Sequence, residues 1–183
     1  MAETTNCTTH KSYAVVTGAN KRIGFEICRQ LASHGITVVL TARDEKRGLD
    51  ALQKLKDSSD GISGDAHFHQ LDVEDSSSVS SIAEFIKIQF GRLDILVNNA
   101  GITGALLDPE ALKSEAAGDD NIDWNDFTKE TKESVEQCLQ INYYGAKRMT
   151  EALIPLLQLS ESPRIMNVTS SMGKLEKREW MRC

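Results

Sequence analysis

The stretch Thr17-Gly18-Ala19-Asn20-Lys21-Arg22-Ile23-Gly24 determines the expected fold because of what flanks it. The apolar run Tyr13-Ala14-Val15-Val16 precedes it and is typical of a buried strand. An amphipathic helix is predicted to follow over 23–34, with an apolar face formed by Ile23, Ile27, Leu31 and Ala32. Such a turn at a helix N-terminus can bind a phosphate, because the first-turn amides are free and the helix dipole favours an anion. The stretch therefore predicts a nucleotide site, and a purely structural turn is the alternative.

Strand and helix signals continue to alternate beyond this turn. Predicted strands cover 38–41, 66–71, 95–97 and 165–168, and predicted helices cover 44–56, 75–90 and 135–157, the first two with Asp44 and Asp75 as N-caps. Alternating strands and helices favour parallel βαβ units, and uninterrupted apolar strands favour a sheet covered on both faces. The expected fold class is α/β, a Rossmann-type doubly wound parallel sheet that is incomplete at its C-terminal side.

Three segments depart from this alternation. Residues 1–11 are polar and are expected to form a flexible N-terminus. Residues 104–133 are acidic and longer than a typical connection, which indicates a surface insert. Residues 174–183 are dense in charge and are expected to be a disordered tail. One nucleotide-binding domain is thus predicted over 12–173, with the insert inside it.

Composition limits the classes of function. The 183 residues include 40% apolar and 26% charged residues, as in a soluble domain with one core. A net charge of −6 argues against nucleic acid as a partner, whereas a local basic cluster can still hold a nucleotide. The cysteines lack metal-ligand and redox spacings, so no metal is expected. Without a signal peptide or an apolar run of about 18 residues, the expected location is cytoplasmic, with no membrane association.

Five motifs, in order from residue 17 to residue 171, resemble those of the short-chain dehydrogenases/reductases. The first stretch resembles the family's Thr-Gly-x3-Gly-x-Gly fingerprint, with Arg22 in the place of the middle glycine. The other motifs are Leu71-Asp72-Val73, Asn98-Asn99-Ala100-Gly101, Ile141-Asn142-Tyr143-Tyr144-Gly145 and Asn167-Val168-Thr169-Ser170-Ser171. The acidic insert and the Asn-Tyr-Tyr-Gly phrase resemble in particular a plant subgroup, the carbonyl reductase-like menthone/neomenthol and salutaridine reductases.

The resemblance implies a set of cofactor-binding residues. They are Gly18, Asn20, Lys21, Arg22, Ile23, Gly24, Arg43, Asp72, Val73, Asn98, Ala100 and Gly101. Gly18 would allow the tight turn, and Gly24 would allow close packing of helix against sheet. Asp72 would contact the adenine amino group; helix capping is the alternative, and both could hold. The Arg22 side chain would either crowd the pyrophosphate or add a positive charge beside it.

The end of the second predicted strand discriminates between the nicotinamide cofactors. A carboxylate there accepts from the ribose hydroxyls and repels a 2′-phosphate, whereas an arginine pairs with that phosphate. Ala42 stands where NAD-dependent members of the family carry Asp, and Arg43 follows it. Together with Lys21 and Arg22, Arg43 favours NADP(H). The alternative is a solvated Arg43 at the start of a helix.

The resemblance implies catalytic roles for Ser170, which would bind the substrate carbonyl, and Asn142, which would anchor a water. The family's proton donor is a Tyr beyond the serine, and a Lys four residues later lowers its pKa from about 10 toward neutrality. No Tyr follows Ser170 in this sequence. Tyr143 and Lys147 have the same spacing, but they precede the serine, so we do not assign them this role.

The predicted function is the NADP(H)-dependent interconversion of a carbonyl and an alcohol on a small, terpenoid- or alkaloid-like substrate. The chain is expected to be truncated, which would leave its fifth strand at an exposed edge. One alternative is a fragment that binds a nucleotide, or pairs through this edge, without turnover. Another is an unstable product without function. By resemblance, the complete protein is expected to be a monomer.

Overall fold

The computed structural model describes residues 11–58, 64–104, 106–107, 128–129 and 131–170. The predicted N-terminal segment, apart from Lys11, and the predicted tail at 174–183 lie outside these ranges. Most of the predicted insert at 104–133 also lies outside them. The expected domain boundaries therefore stay predictions.

A five-stranded parallel sheet forms the centre of the fold, as the sequence predicts. The strands of the described residues are β1 (Tyr13–Val16), β2 (Thr37–Ala42), β3 (Ala66–Gln70), β4 (Ile95–Asn98), β5 (Leu106–Leu107), β6 (Thr128–Lys129) and β7 (Arg164–Asn167). The sheet order is β3-β2-β1-β4-β7, and β5 and β6 form a separate antiparallel pair. β2 and β4 pair with opposite sides of β1. The order in which strands are added to the sheet therefore reverses at β1, while all five strands stay parallel.

The first three helices begin and end close to the predicted positions. The α-helices of the described residues are α1 (Arg22–Ser33), α2 (Glu45–Asp57), α3 (Ser76–Phe90), α4 (Lys132–Leu139) and α5 (Ala146–Leu157). The predicted N-caps are confirmed, because the side chain of Asp44 accepts from the Arg47 amide and that of Asp75 accepts from the Ser77 amide. Each cap satisfies one of the amides that a helix start leaves without a partner.

The prediction of one uninterrupted helix over 135–157 is wrong. A π-helical turn, Gln140–Gly145, separates α4 from α5, and we call it the π turn. A π turn departs from the regular i→i−4 bonding of a helix, so some carbonyls need other donors. The carbonyl of Gln140 accepts from the Arg148 guanidinium at 3.4 Å. The helix start also lies earlier, at Lys132, after a capping box formed by Thr131 and Ser134.

Two apolar clusters cover the two faces of the sheet. Alternate residues of β1 point to opposite faces, so Val15 joins one cluster while Ala14 and Val16 join the other. The first cluster includes apolar residues of α3 and α5, and the second includes those of α1 and α2. Cys28 of α1 lies in the second cluster, where burial raises its thiol pKa to about 12. The covered sheet confirms the α/β class.

The predicted buried face of α1 is wrong at Ile23, which is 61% exposed. The predicted Ala32 is buried, together with Gly24 and Cys28, and the predicted Ile27 and Leu31 are partly buried against the second cluster. Gly24 lies against the chain after β4, because a Cβ atom added there would overlap the Asn99 side chain. This contact sets the rotation of the helix and turns Ile23 outward.

The strand β7 lies at one end of the sheet and is exposed along its length. Ile165 and Met166 are 43% and 53% exposed, in contrast to the buried β1, β2 and β4. In the part of the chain that the structure describes, none of the helices has the length and apolar character needed to cross a membrane.

Candidate functional site at the carboxyl edge of the sheet

Most of the predicted site residues follow the carboxyl ends of the parallel strands, and Asn142 lies in the π turn. Of these residues, Lys21, Arg22, Ile23, Arg43, Gly101, Asn142 and Ser170 are exposed; Gly18, Asn20, Asp72 and Ala100 are half-buried; Gly24, Val73 and Asn98 are buried. The sheet order reverses between β1 and β4. In open α/β sheets this reversal creates a crevice at the carboxyl edge, where ligands bind.

The loops that follow β1 and β4 contact each other at this crevice. Gly18 has a φ of +62°, in the left-handed region that favours glycine, which confirms the predicted tight turn. A Cβ atom added to Gly18 would lie 2.9 Å from the Cα atom of Ala100. Any larger residue at position 18 would therefore push the two loops apart and change the shape of the crevice.

Thr17 and Asn99 fix this contact; both stand in motifs that the sequence analysis identified, but neither was among the predicted site residues. The Thr17 hydroxyl accepts from the amides of Asn99 and Ala100, both at 2.9 Å. The Asn99 amide group donates to the carbonyls of Thr17 at 2.8 Å and Gly18 at 3.1 Å. The backbone of the phosphate loop, which we define as residues 17–24, is therefore set by side chains before any ligand binds. The paired asparagines Asn98-Asn99 were the available signal. Adjacent side chains at a strand end point in opposite directions, so one asparagine can bond toward β7 and the other toward the loop after β1.

The N-terminus of α1 opens onto the same crevice. Lys21 is its N-cap, and its side chain makes no hydrogen bond to the first-turn amides. The first turn contains no acidic residue. Arg22 begins the helix with a φ of +52°, in the left-handed region that favours glycine, at the position where the fingerprint has its middle glycine. Open amides, the helix dipole and two cationic side chains together suit a bound anion.

Arg43 lies at the end of β2, directly after buried Ala42. Its side chain is 57% exposed, and its Nη1 atom lies 3.8 Å from a carboxylate oxygen of Glu74. The Gln70 amide group donates to the Arg43 carbonyl at 3.0 Å and so fixes its backbone to β3. An exposed pair at this distance is weak, so the guanidinium can exchange Glu74 for a ligand phosphate.

Asp72 closes the turn between β3 and α3. Its carboxylate accepts from the Glu74 amide at 3.0 Å, and its own amide donates to the Ser78 hydroxyl. The alternative of a helix-capping Asp72 is wrong, because Asp75 caps α3. Hydrogen bonds from Ser77 hold the pKa of the Asp75 carboxyl below its usual value, so it remains an anionic cap.

Asn98 joins β4 to β7 and α5. Its amide group donates to the side chains of Asn167 at 2.9 Å and Thr150 at 3.3 Å, and its carbonyl accepts from the Val168 amide at 2.9 Å. These bonds direct the chain that leads from β7 to Ser170. The side-chain contacts thus give Asn98 a part in aligning the strands that carry the site.

The side chain of Asn142 is held by the chain after β4. Its Oδ1 atom accepts from the Ile102 amide and its Nδ2 atom donates to the Ile102 carbonyl, both at 2.9 Å. Nδ2 also donates to Cys138 Sγ at 3.3 Å. A Cβ atom added to Gly101 would lie 3.4 Å from Asn142 Oδ1, at ordinary van der Waals distance, so the two residues are neighbours. The structure therefore brings the predicted Gly101 and Asn142 together.

Tyr143 and Lys147 do not act on each other in the structure. Tyr143 is 60% exposed and contacts the ring of Tyr144 edge-on, with ring centroids 5.0 Å apart. The Lys147 ammonium lies 3.8 Å from a carboxylate oxygen of Glu151, further along α5. Neither contact directs the pair toward Ser170, so the structure provides no geometric reason to assign it a catalytic role.

The crevice, the phosphate loop and the open start of α1 together define a dinucleotide-binding α/β protein of the Rossmann type. The residues of the phosphate loop fit such a ligand. A Cβ atom at Gly18 or Gly24 would meet neighbouring atoms, so only glycine allows the compact loop that brings backbone amides close to a phosphate. The sequence model of the family described as short chain dehydrogenase matches residues 12–181. The chain belongs to this family.

Individual relatives show how far the similarity extends. The chain is 60% identical over 170 residues to (+)-neomenthol dehydrogenase of Arabidopsis thaliana, a match that covers 92% of this chain and 57% of that protein. It is 50% identical to the solved structure of salutaridine reductase from Papaver somniferum, with a TM-score of 0.80, covering 91% of this chain and 60% of that one. It is 35% identical to carbonyl reductase [NADPH] 1 of Rattus norvegicus, covering 87% and 49%. The chain thus spans at most about three fifths of these relatives.

Proposed function

We propose that the protein is an NADP(H)-dependent oxidoreductase that interconverts a carbonyl and an alcohol on a small substrate. The observation that carries the proposal is Arg43, exposed beside the crevice at the position that selects the cofactor. The names of the relatives support reductase chemistry, and that of the rat enzyme supports NADPH. A terpenoid or alkaloid substrate, a cytoplasmic location and a monomeric state of the complete protein belong to the same proposal.

Each part of the site contributes one function to this mechanism. The first-turn amides of α1 would bind the pyrophosphate, and Arg43 with Lys21 would bind the 2′-phosphate. NADPH, when bound, supplies a hydride. Ser170 would donate a hydrogen bond to the substrate carbonyl oxygen and so stabilise the charge that develops on it. Asn142, held on Ile102, would keep the adjacent backbone in place for an ordered water.

The Arg43→Ala variant tests the choice of cofactor. Removing a charge-assisted contact costs about 1.5–3 kcal/mol, so the affinity for NADP⁺ should fall roughly tenfold to a hundredfold. The affinity for NAD⁺ should change less than about threefold, because NAD⁺ lacks the 2′-phosphate. Both are measured by isothermal titration calorimetry on the 183-residue polypeptide.

The matched control for this test is Lys87→Ala. It removes one positive charge from the last turn of α3, where Lys87 pairs with Glu84 on an exposed surface. It should leave both affinities unchanged. Equal losses for NADP⁺ and NAD⁺ in Arg43→Ala would contradict the assignment of Arg43 to the 2′-phosphate.

A second candidate function is binding of the nucleotide without turnover by the 183-residue polypeptide. It is favoured by the sequence itself, in which no Tyr follows Ser170. We expect calorimetry to detect NADPH binding while an absorbance assay detects no NADPH oxidation with carbonyl substrates. Turnover that disappears in the Tyr143→Phe variant would overturn this candidate and give Tyr143 the role of proton donor.

A further inference from the structure

Arg148 connects two parts of the site that are far apart in the sequence. Its Nη1 atom donates to the Val73 carbonyl at 3.2 Å and to the Gln140 carbonyl at 3.4 Å. Its Nη2 atom donates to the Gln140 side-chain oxygen at 2.7 Å. One half-buried guanidinium therefore links the chain after β3 to the first residue of the π turn.

The last residue of the π turn contacts the same place. A Cβ atom added to Gly145 would lie 2.8 Å from Val73 Cγ2, so the backbone at Gly145 packs directly on this side chain. Val73 is buried, with 6% of its surface exposed. Gln140 is thus connected to Val73 through Arg148, and Gly145 packs on Val73 directly.

Asn142 lies between Gln140 and Gly145, and its side chain makes the two bonds to Ile102. Both bonds form only when the π turn has a fixed orientation and a fixed separation from the backbone at Ile102. A guanidinium suits this task because its fixed fork of donors can satisfy two acceptors on one turn and a third on another segment.

We propose that Arg148 is a positioning residue: it holds the π turn on Val73 and thereby keeps Asn142 bonded to Ile102. The significance of this position rests on the proposed function, in which Asn142 and Val73 belong to the site. The contacts themselves do not depend on it. Arg148 would therefore connect two parts of the site: the segment at Val73, assigned to the adenine end of the cofactor, and the π turn, which carries the predicted catalytic Asn142.

Amide hydrogen exchange of the 183-residue polypeptide tests the proposal through Arg148→Met. This variant keeps much of the apolar stem and removes all three hydrogen bonds. Exchange should accelerate about tenfold or more at the Ile102 amide and at amides in 140–145. It should not change at Val15 and Leu96, which lie in the core of the sheet.

The control is Lys147→Met, which removes the adjacent positive charge and its exposed pair with Glu151. It should leave exchange at Ile102 unchanged. Unchanged exchange at Ile102 in Arg148→Met would overturn the proposal. So would acceleration that is equal at Ile102, Val15 and Leu96, because it would show that Arg148 supports only global stability.

Gln140→Leu provides a variant with less effect on folding. It keeps the arginine and removes only the 2.7 Å contact. Exchange should accelerate at the same amides, by a smaller factor than in Arg148→Met. Wild-type exchange at Ile102 in this variant, or acceleration confined to the sheet, would count against the proposal.

Saturating NADP⁺ separates this inference from the proposed function. In the wild type, NADP⁺ should slow exchange at Ile102, and in Arg148→Met this slowing should be lost while binding persists. The same slowing in both proteins would overturn the connection through Arg148. A wild type that binds no NADP⁺ would instead contradict the proposed function, while the ligand-free exchange still decides whether Arg148 positions Asn142.

Discussion

Arg22 adopts a backbone conformation that favours glycine. With a φ of +52°, it is the one non-glycine residue with positive φ in the described part of the chain. A left-handed backbone costs an L-residue roughly 1–2 kcal/mol, because Cβ approaches the following carbonyl oxygen. The phosphate loop therefore carries backbone strain and an added charge at the position where the fingerprint has a glycine.

The Arg22→Gly variant should raise the free energy of unfolding by about 0.5–1 kcal/mol. Relief of the left-handed strain exceeds the entropy that glycine adds to the unfolded chain. Urea denaturation measures the change. Lys21→Gly is the control, because Lys21 is extended with a φ of −163° and carries the same charge. Equal or lower stability in Arg22→Gly than in the wild type would contradict the strain argument.

The phosphate loop could be predicted because its residues are contiguous and stand between a strand and a helix. The support it receives from Asn99 could not, since that residue lies about eighty positions away and its role depends on how the loops after β1 and β4 meet. Arg22 was seen as a departure from the fingerprint, but its backbone strain appears only with the dihedral angle.

At the scale of elements, apolar periodicity predicted the central strands and the helices, and local capping predicted where α2 and α3 begin. The π turn was not predicted, because it depends on Arg148 and on the approach of Gly145 to Val73. The periodicity of α1 was misread at Ile23 for the same kind of reason: a contact of Gly24 with a distant loop decides which face is buried.

The packing of α2 on β3 depends on a similar close contact of a glycine, which a substitution can test. Gly48 is buried in α2, and a Cβ atom added to it would overlap the ring of Phe68 on β3. Alanine normally stabilises a helix relative to glycine by about 1 kcal/mol. Here the overlap should dominate, so we expect Gly48→Ala to lower the free energy of unfolding by roughly 1–3 kcal/mol in urea denaturation.

A double-mutant cycle identifies the cause. Phe68→Leu, made alone, should destabilise the protein by loss of ring contacts, but in the Gly48→Ala background it should recover part of the loss because it makes room for the methyl group. The two changes should therefore be non-additive by at least about 0.5 kcal/mol. A Gly48→Ala variant that is more stable than the wild type would show that α2 shifts away from β3 at little cost.

At the scale of the whole molecule, the two ends of the sheet differ. At β3, apolar side chains of α2 and α3 pack over the strand, and Phe68 joins one of the two apolar clusters. At β7 the strand pairs with β4 on one side, and Ile165, Met166 and Val168 are each more than 40% exposed. No further strand pairs with the outer side of β7 in the described residues. An exposed apolar strand at a sheet edge presents unpaired amides and carbonyls to other chains.

We therefore expect the 183-residue polypeptide to self-associate through β7 as its concentration rises, which sedimentation velocity can measure. Met166→Lys should reduce the association, because a charge on an edge strand opposes pairing with another chain. Ile88→Lys is the matched control: Ile88 is 69% exposed on α3, so the same change in surface charge is made away from a sheet edge. If both variants reduced association equally, general surface charge would be the cause. A wild type that stays monomeric at high concentration would show that the outer side of β7 is protected in solution.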